Sequence, residues 1–128
     1  PGFELADDEM EIGIGIHGEP GTHREKLRPA NEIAKMLVDQ ILADLDYKGH
    51  EVVVLINGMG GTPLMELYIV NNFVQDYLKE QGIAVYDTMV GNYMTSIEMA
   101  GFSITLLRLD DELKGLYDAP ADTLAWKK

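Results

Sequence analysis

A single histidine stands inside the glycine-rich run Gly13-Ile-Gly-Ile-His-Gly-Glu-Pro-Gly, residues 13–21. A histidine is a usable nucleophile near pH 7. With a reference pKa of about 6.5, its neutral imidazole predominates and keeps a lone pair that can add to an electrophilic carbon. The surrounding pattern suggests room for such an addition. Residues 10–16 alternate as a strand, which sets Ile12, Ile14 and Ile16 on one face and Gly13, Gly15 and His17 on the other. The isoleucine face calls for a core. Glycines inside a strand cost stability, a cost easiest to understand if a ligand or another backbone comes close beside His17. Gly18, Pro20 and Gly21 then turn the chain away from the strand end. On the residues alone, a structural turn histidine bonded to backbone stays open as the other reading.

Other chemistry-bearing residues are less pointed. Glu19 lies in Gly-Glu-Pro, where the residue before proline is driven to extended conformations, so it reads first as loop geometry and second as another catalytic group. His23, Arg24, Lys26 and Arg28 form a small basic cluster diluted by Glu25. It is either a solvated loop or a contact for an acidic surface or phosphate. His50 follows a glycine turn, and three histidines without cysteine give no zinc pattern. Gly58-Met-Gly-Gly-Thr62 sits where backbone amides and a helix N-terminus can receive an anion. It lacks the lysine of a Walker motif and the spacing of a dinucleotide fingerprint, so a tight strand-to-helix connection is preferred. Asn92 to Ser96 reads as a capped turn, with Met94 and Met99 assigned to the core.

The elements that must position these residues alternate between strand and helix. Pro29 opens a helix whose Ile33, Leu37, Ile41 and Leu45 recur every four positions, with Ala30, Ala34 and Val38 beside them, ending near Asp46. Glu51 to Ile56 reads as a strand buried on both faces. Thr62 and Pro63 are expected to cap and begin a second helix lined by Leu64, Leu67, Val70, Val74 and Leu78, which Gly82 ends. Ile83 to Val90 and Phe102 to Leu109 are further strands, and Asp110 caps a short helix through Leu116. Residues 91–101 are either a turn with a short helix or a hairpin strand. Pro120 and Trp126 are expected to pack on the body. The pattern predicts an α/β layered domain with a mixed, largely parallel sheet flanked by helices, spanning residues 1–128 as one domain.

Composition narrows the function classes. The 128 residues are 46% hydrophobic and 25% charged, ordinary for a globular chain. No apolar run approaches the roughly 20 residues of a membrane-spanning helix. A formal charge of −12 disfavours nucleic acid and anionic membranes as partners. The absence of cysteine excludes disulfides and thiolate chemistry within these residues and fits a cytoplasmic setting. The start at Pro1-Gly2 suggests a piece of a longer chain.

Four stretches, in order, resemble the dihydroxyacetone kinase family, specifically the C-terminal domain of its substrate-binding subunit DhaK. They are residues 9–21, Leu55-Ile-Asn-Gly-Met-Gly-Gly-Thr-Pro-Leu-Met-Glu-Leu, Val90-Gly-Asn-Tyr-Met-Thr-Ser-Ile-Glu-Met-Ala-Gly-Phe-Ser-Ile-Thr-Leu-Leu, and Asp118-Ala-Pro-Ala-Asp-Thr. The resemblance implies that His17 is the catalytic and substrate-binding histidine, forming a hemiaminal with the carbonyl of dihydroxyacetone. It further implies an N-terminal DhaK domain that supplies the general base, a homodimer, and a nucleotide-binding DhaL-type subunit or domain. That partner would hold ATP or ADP with Mg, and the ultimate donor would be ATP or a phosphorylated carrier protein. This domain itself would bind no cofactor or metal. A dihydroxyacetone-binding regulatory paralogue without kinase activity is the alternative.

Overall fold

The elements run in the order β1 (Glu9–Ile12), β2 (His23–Lys26), α1 (Ala30–Asp44), β3 (Glu51–Gly58), α2 (Leu64–Glu80), β4 (Ala84–Gly91), β5 (Phe102–Arg108) and α3 (Asp111–Asp118). They are seen in a computed structural model that describes residues 4–17 and 19–128. Among the described residues, β1 and β2 form an antiparallel hairpin, while the main sheet has the order β4-β3-β5. β3 pairs in parallel with β4 and antiparallel with β5, so Val54 stands between Thr88 and Leu106. The sheet is therefore mixed, as expected. No helix among the described residues is long and apolar enough to cross a membrane.

The continuous apolar run of β3 is explained by its position. Val52, Val54 and Ile56 point to one face and are completely buried beneath α1 and α2. Each removes a side chain from water, worth about 2 kcal/mol. α2 contributes Leu67, Val70, Val74 and Leu78 to the same cluster, whereas Leu64, expected on that face, is exposed. In α1 the buried stripe is centred on Ala34 and Val38, with Ala30, Ile41 and Leu42 beside them, and Leu45 lies outside it. Small residues at 30 and 34 let the helix approach closely, which moves the contact line away from the longer side chains. Gly82 ends α2 at φ +74°, with Ile83 N–H donating to Leu78 O and Gly82 N–H to Lys79 O. That pair of bonds is a Schellman motif, and only glycine enters its left-handed position without penalty. Asp110 caps α3 as expected, accepting from Leu113 N–H at 2.8 Å. Thr62 does not cap α2. Its hydroxyl instead donates to Gly101 O and accepts from Gly101 N–H, at 2.8 and 2.9 Å.

Residues 92–101 are neither a helix nor a hairpin strand. Asn57, 3% exposed, fixes them. Its Oδ1 accepts from the N–H groups of Tyr93 and Met94 at 2.8 and 3.0 Å, and its Nδ2 donates to Met94 O and Ser103 Oγ at 2.8 and 3.2 Å. One amide thus satisfies three backbone groups that a regular element would otherwise have paired, together with the Ser103 hydroxyl. The loop then runs beside residues 59–62, held by Met59 N–H to Gly101 O and Gly61 N–H to Met99 O. A loop tied by its backbone need not bury its side chains, and Met94 and Met99 are exposed rather than in the core.

Of the two tail residues expected to pack on the body, Trp126 does so, whereas Pro120 is exposed. Trp126 meets the edges of Tyr93 and Tyr117, with ring centroids 6.1 and 6.2 Å apart. Burial, then the hydrogen bond Tyr117 donates to Asp87 at 2.8 Å, holds the Tyr117 phenol well above its usual pKa.

Two outcomes are expected from these contacts. Asn57→Leu leaves the Tyr93 and Met94 amides unpaired and should lower unfolding free energy by about 3 kcal/mol in urea denaturation. Tyr117 gives a pH signature. The unfolded phenol ionises near pH 10 while the folded one resists, so its contribution is complete below pH 10 and is lost as pH climbs towards the folded pKa. Stability measured between pH 9 and 11 should therefore fall less steeply in Tyr117→Phe than in the parent chain.

Candidate functional site in the β1–β2 loop

His17 lies in the connection between β1 and β2, residues 13–22, and not at the end of a strand. β1 stops at Ile12 because Gly13 adopts φ +77°, which breaks the alternation. Ile12 is buried, but Ile14 and Ile16 are exposed, Ile16 by 71%, so the isoleucine face expected over residues 12–16 does not exist. β2 is the segment expected to be a basic loop. Its His-Arg-Glu-Lys sequence has no apolar alternation, and only its pairing with Glu9–Ile12 makes it a strand.

The connection is bonded to itself at several levels. Thr22 N–H donates to Ile12 O at 2.7 Å, closing the base of the loop. The Glu11 carboxylate accepts from Gly21 N–H at 2.6 Å, and a Cβ at Gly21 would collide with Ile12 and Glu11. Near the tip, Gly15 N–H donates to Glu19 O at 3.1 Å. Glu19 folds beneath His17: one carboxylate oxygen accepts from the His17 backbone N–H, and the other lies 3.3 Å from ring Nδ1. The two side chains are 78% and 60% exposed. Gly18 falls outside the described residues.

This geometry revises the reading of the glycines. The space above Gly15 is filled by the Glu19 side chain, not kept open for a ligand. Glu19, read first as loop geometry, is the histidine's immediate neighbour. The relation was visible only as an acid two residues beyond a histidine, a spacing that means little until the turn between them is known. The role of Glu11 left no sequence signal, because it depends on hairpin register.

The remaining candidates do not converge on His17. In the basic cluster, Lys26 pairs with Asp8 at 2.7 Å, Arg28 pairs with Glu25, and His23 Nε2 lies 3.7 Å from Glu25. Those charges are matched by local acids, which is the solvated-segment reading. His50 is exposed in a turn, its N–H donating to Tyr47 O. The 58–62 loop packs tightly on residues 96–101. A Cβ at Gly60, whose φ is +95°, would lie 2.7 Å from Ile97 O, and the Met59 and Gly61 amides already donate to Gly101 O and Met99 O. Its behaviour matches a strand-to-helix connection.

With the loop and sheet described, the relationships to known proteins are direct. Residues 1–125 match the Dak1 domain. The chain is 54% identical over 128 residues to the dihydroxyacetone-binding subunit DhaK of a PTS-dependent dihydroxyacetone kinase from Listeria innocua, covering 98% of this chain and 39% of that one. A solved dihydroxyacetone kinase operon co-activator, Dha-DhaQ, superposes with a TM-score of 0.82 at 39% identity, over 93% of this chain and 38% of that one. The dihydroxyacetone kinase of C. freundii superposes at 0.78 with 26% identity, over 97% and 22%. The chain thus spans about two fifths of the Listeria relative's length. A match over nearly every residue, at this identity and with this shared fold, means that the chain belongs to the Dak1 domain family, the family of the dihydroxyacetone-binding subunits of dihydroxyacetone kinases.

Proposed function

We propose that this chain is the part of a dihydroxyacetone kinase that captures dihydroxyacetone covalently through His17. The observation that carries the reading is an exposed imidazole in a self-bonded loop, with Nδ1 against Glu19 and the opposite ring nitrogen available to a carbonyl carbon. The 54% identity to a dihydroxyacetone-binding subunit supports the substrate.

The addition is a means of selection. The lone pair of the imidazole attacks the ketone carbon, the carbonyl π pair moves to oxygen, and the alkoxide takes up a proton while the ring releases one. No atom of the ketone is lost. Glycerol offers comparable hydroxyls and no electrophilic carbon, so it is refused by chemistry rather than by shape. The tether also holds a terminal hydroxyl in one orientation, replacing encounter by position. Phosphoryl transfer then needs a general base at that hydroxyl, which we assign to the part of the subunit lying outside these 128 residues. A nucleotide-binding partner subunit or domain would carry ATP or ADP with Mg. The PTS dependence in the Listeria relative's name supports a phosphorylated carrier protein as the ultimate donor. The 128 residues alone are expected to phosphorylate nothing.

The likeness to an operon co-activator favours one second reading, a dihydroxyacetone-binding regulator without kinase activity. Both readings use His17. They part over whether the complete chain carries a base that can activate the tethered hydroxyl.

Native mass spectrometry of the complete natural chain with dihydroxyacetone tests the capture. An adduct retaining the full mass of the ketone is expected, distinct from a lysine imine, which loses water. It should vanish in His17→Ala. Because the ring is mostly in water, that variant should change unfolding free energy by no more than about 0.5 kcal/mol. Absence of an adduct in the wild-type chain would refute the reading.

A further inference from the structure

We infer that Glu19 is a positioning residue for the capture step, and that residue 15 is glycine so that the Glu19 carboxylate can reach His17. The inference deepens the proposed role of His17 and rests on it. Three observations lead to it independently of any relative. Glu19 makes two contacts to the same residue, receiving the His17 backbone N–H on one oxygen and facing ring Nδ1 at 3.3 Å with the other. A carboxylate only accepts, so this geometry requires the proton on Nδ1 and leaves the lone pair on Nε2. Gly15 then supplies the space: a Cβ built there would lie 2.7 Å from Glu19 Cβ and closer still to its carboxylate. The three nearest atoms to that imagined methyl all belong to the Glu19 side chain. Gly15 has no positive φ, so its backbone would accept alanine, and the collision with Glu19 is the objection the geometry raises. Finally, Glu19 is held from both directions, by Pro20, which restricts it to extended backbone, and by Gly15 N–H on its carbonyl at 3.1 Å.

The consequence for the chemistry concerns charge. When Nε2 bonds to the ketone carbon, the ring becomes cationic for as long as Nδ1 keeps its proton. The Glu19 carboxylate faces that proton and stabilises the developing cation. The proton balance closes when Nδ1 releases its proton to solvent and the alkoxide gains one. Glu19 therefore does two things from one position: it selects the tautomer before attack and opposes the charge after it.

The test uses the complete natural chain with 15N-labelled histidine and reads two quantities. Nitrogen chemical shifts report which ring atom of His17 carries the proton, with no ketone present, and mass spectrometry reports the dihydroxyacetone adduct. The wild type should show mainly the Nδ1–H tautomer. Glu19→Ala should give a mixture of tautomers and weaken capture about fivefold, as expected for loss of an exposed charged contact. Glu19→Gln, whose amide oxygen can still accept, should restore the tautomer and recover only part of the capture. Gly15→Ala should resemble Glu19→Ala although both His17 and Glu19 are present. An unchanged tautomer in Glu19→Ala, or unchanged capture beside a shifted tautomer, would overturn the inference. Failure of the wild type to form any adduct would instead remove the proposed function, while the tautomer readout would still judge the placement of Glu19.

Discussion

β3 is paired along both edges and buried on both faces over most of its length, and nearly everything else in the main body takes its place from that strand. A backbone with a neighbour on each side cannot slip without breaking the pairing along both edges, and a slip would carry Val52, Val54 and Ile56 off the face that α1 and α2 cover. Val52, Val54 and Ile56 thereby fix where α1 and α2 sit, and the parallel crossover through α2 fixes β4. The same strand delivers Asn57 to the point where regular pairing ends. There its amide substitutes for ladder bonds that the irregular chain after β4 cannot make, and a buried polar group becomes the organiser of a loop.

Much of this body was legible in the residues. A continuous apolar run located β3 and a period near four located α2, and β4 and β5 were placed to within a few positions, since in those segments burial decides the conformation and hydrophobicity reports burial. Asp110 and Gly82 were readable because a cap and a left-handed helix end each require a particular side chain. α1 was placed correctly but its face was turned slightly, because alanines at 30 and 34 carry little hydrophobic weight while permitting the closest packing.

Elsewhere the signal was absent or misleading. β2 is a strand only by virtue of its partner, and the four residues His23 to Lys26 offer no apolar pattern to announce it. The alternation through Ile16 was genuine in composition, yet one positive φ at Gly13 ended its structural meaning. Thr62 had the identity of a cap and found a stronger use across the loop at Gly101. His17 itself stood out because glycines surrounded it. The reason for at least one of those glycines, the tucked carboxylate of Glu19, could be learned only from the folded loop.

The hairpin that carries His17 packs chiefly on itself and not on the three-stranded sheet. Its bonds run from Glu11 and Ile12 to Gly21 and Thr22, and from Gly15 to Glu19, all within one short excursion of the chain. Such a loop behaves as a cartridge. Its internal geometry travels with it, so changes in the sheet, the helices or whatever domains surround them can accumulate without disturbing the histidine's own environment. On the role proposed for His17, such an arrangement would let the use made of a bound ligand change without any change in the loop's own geometry.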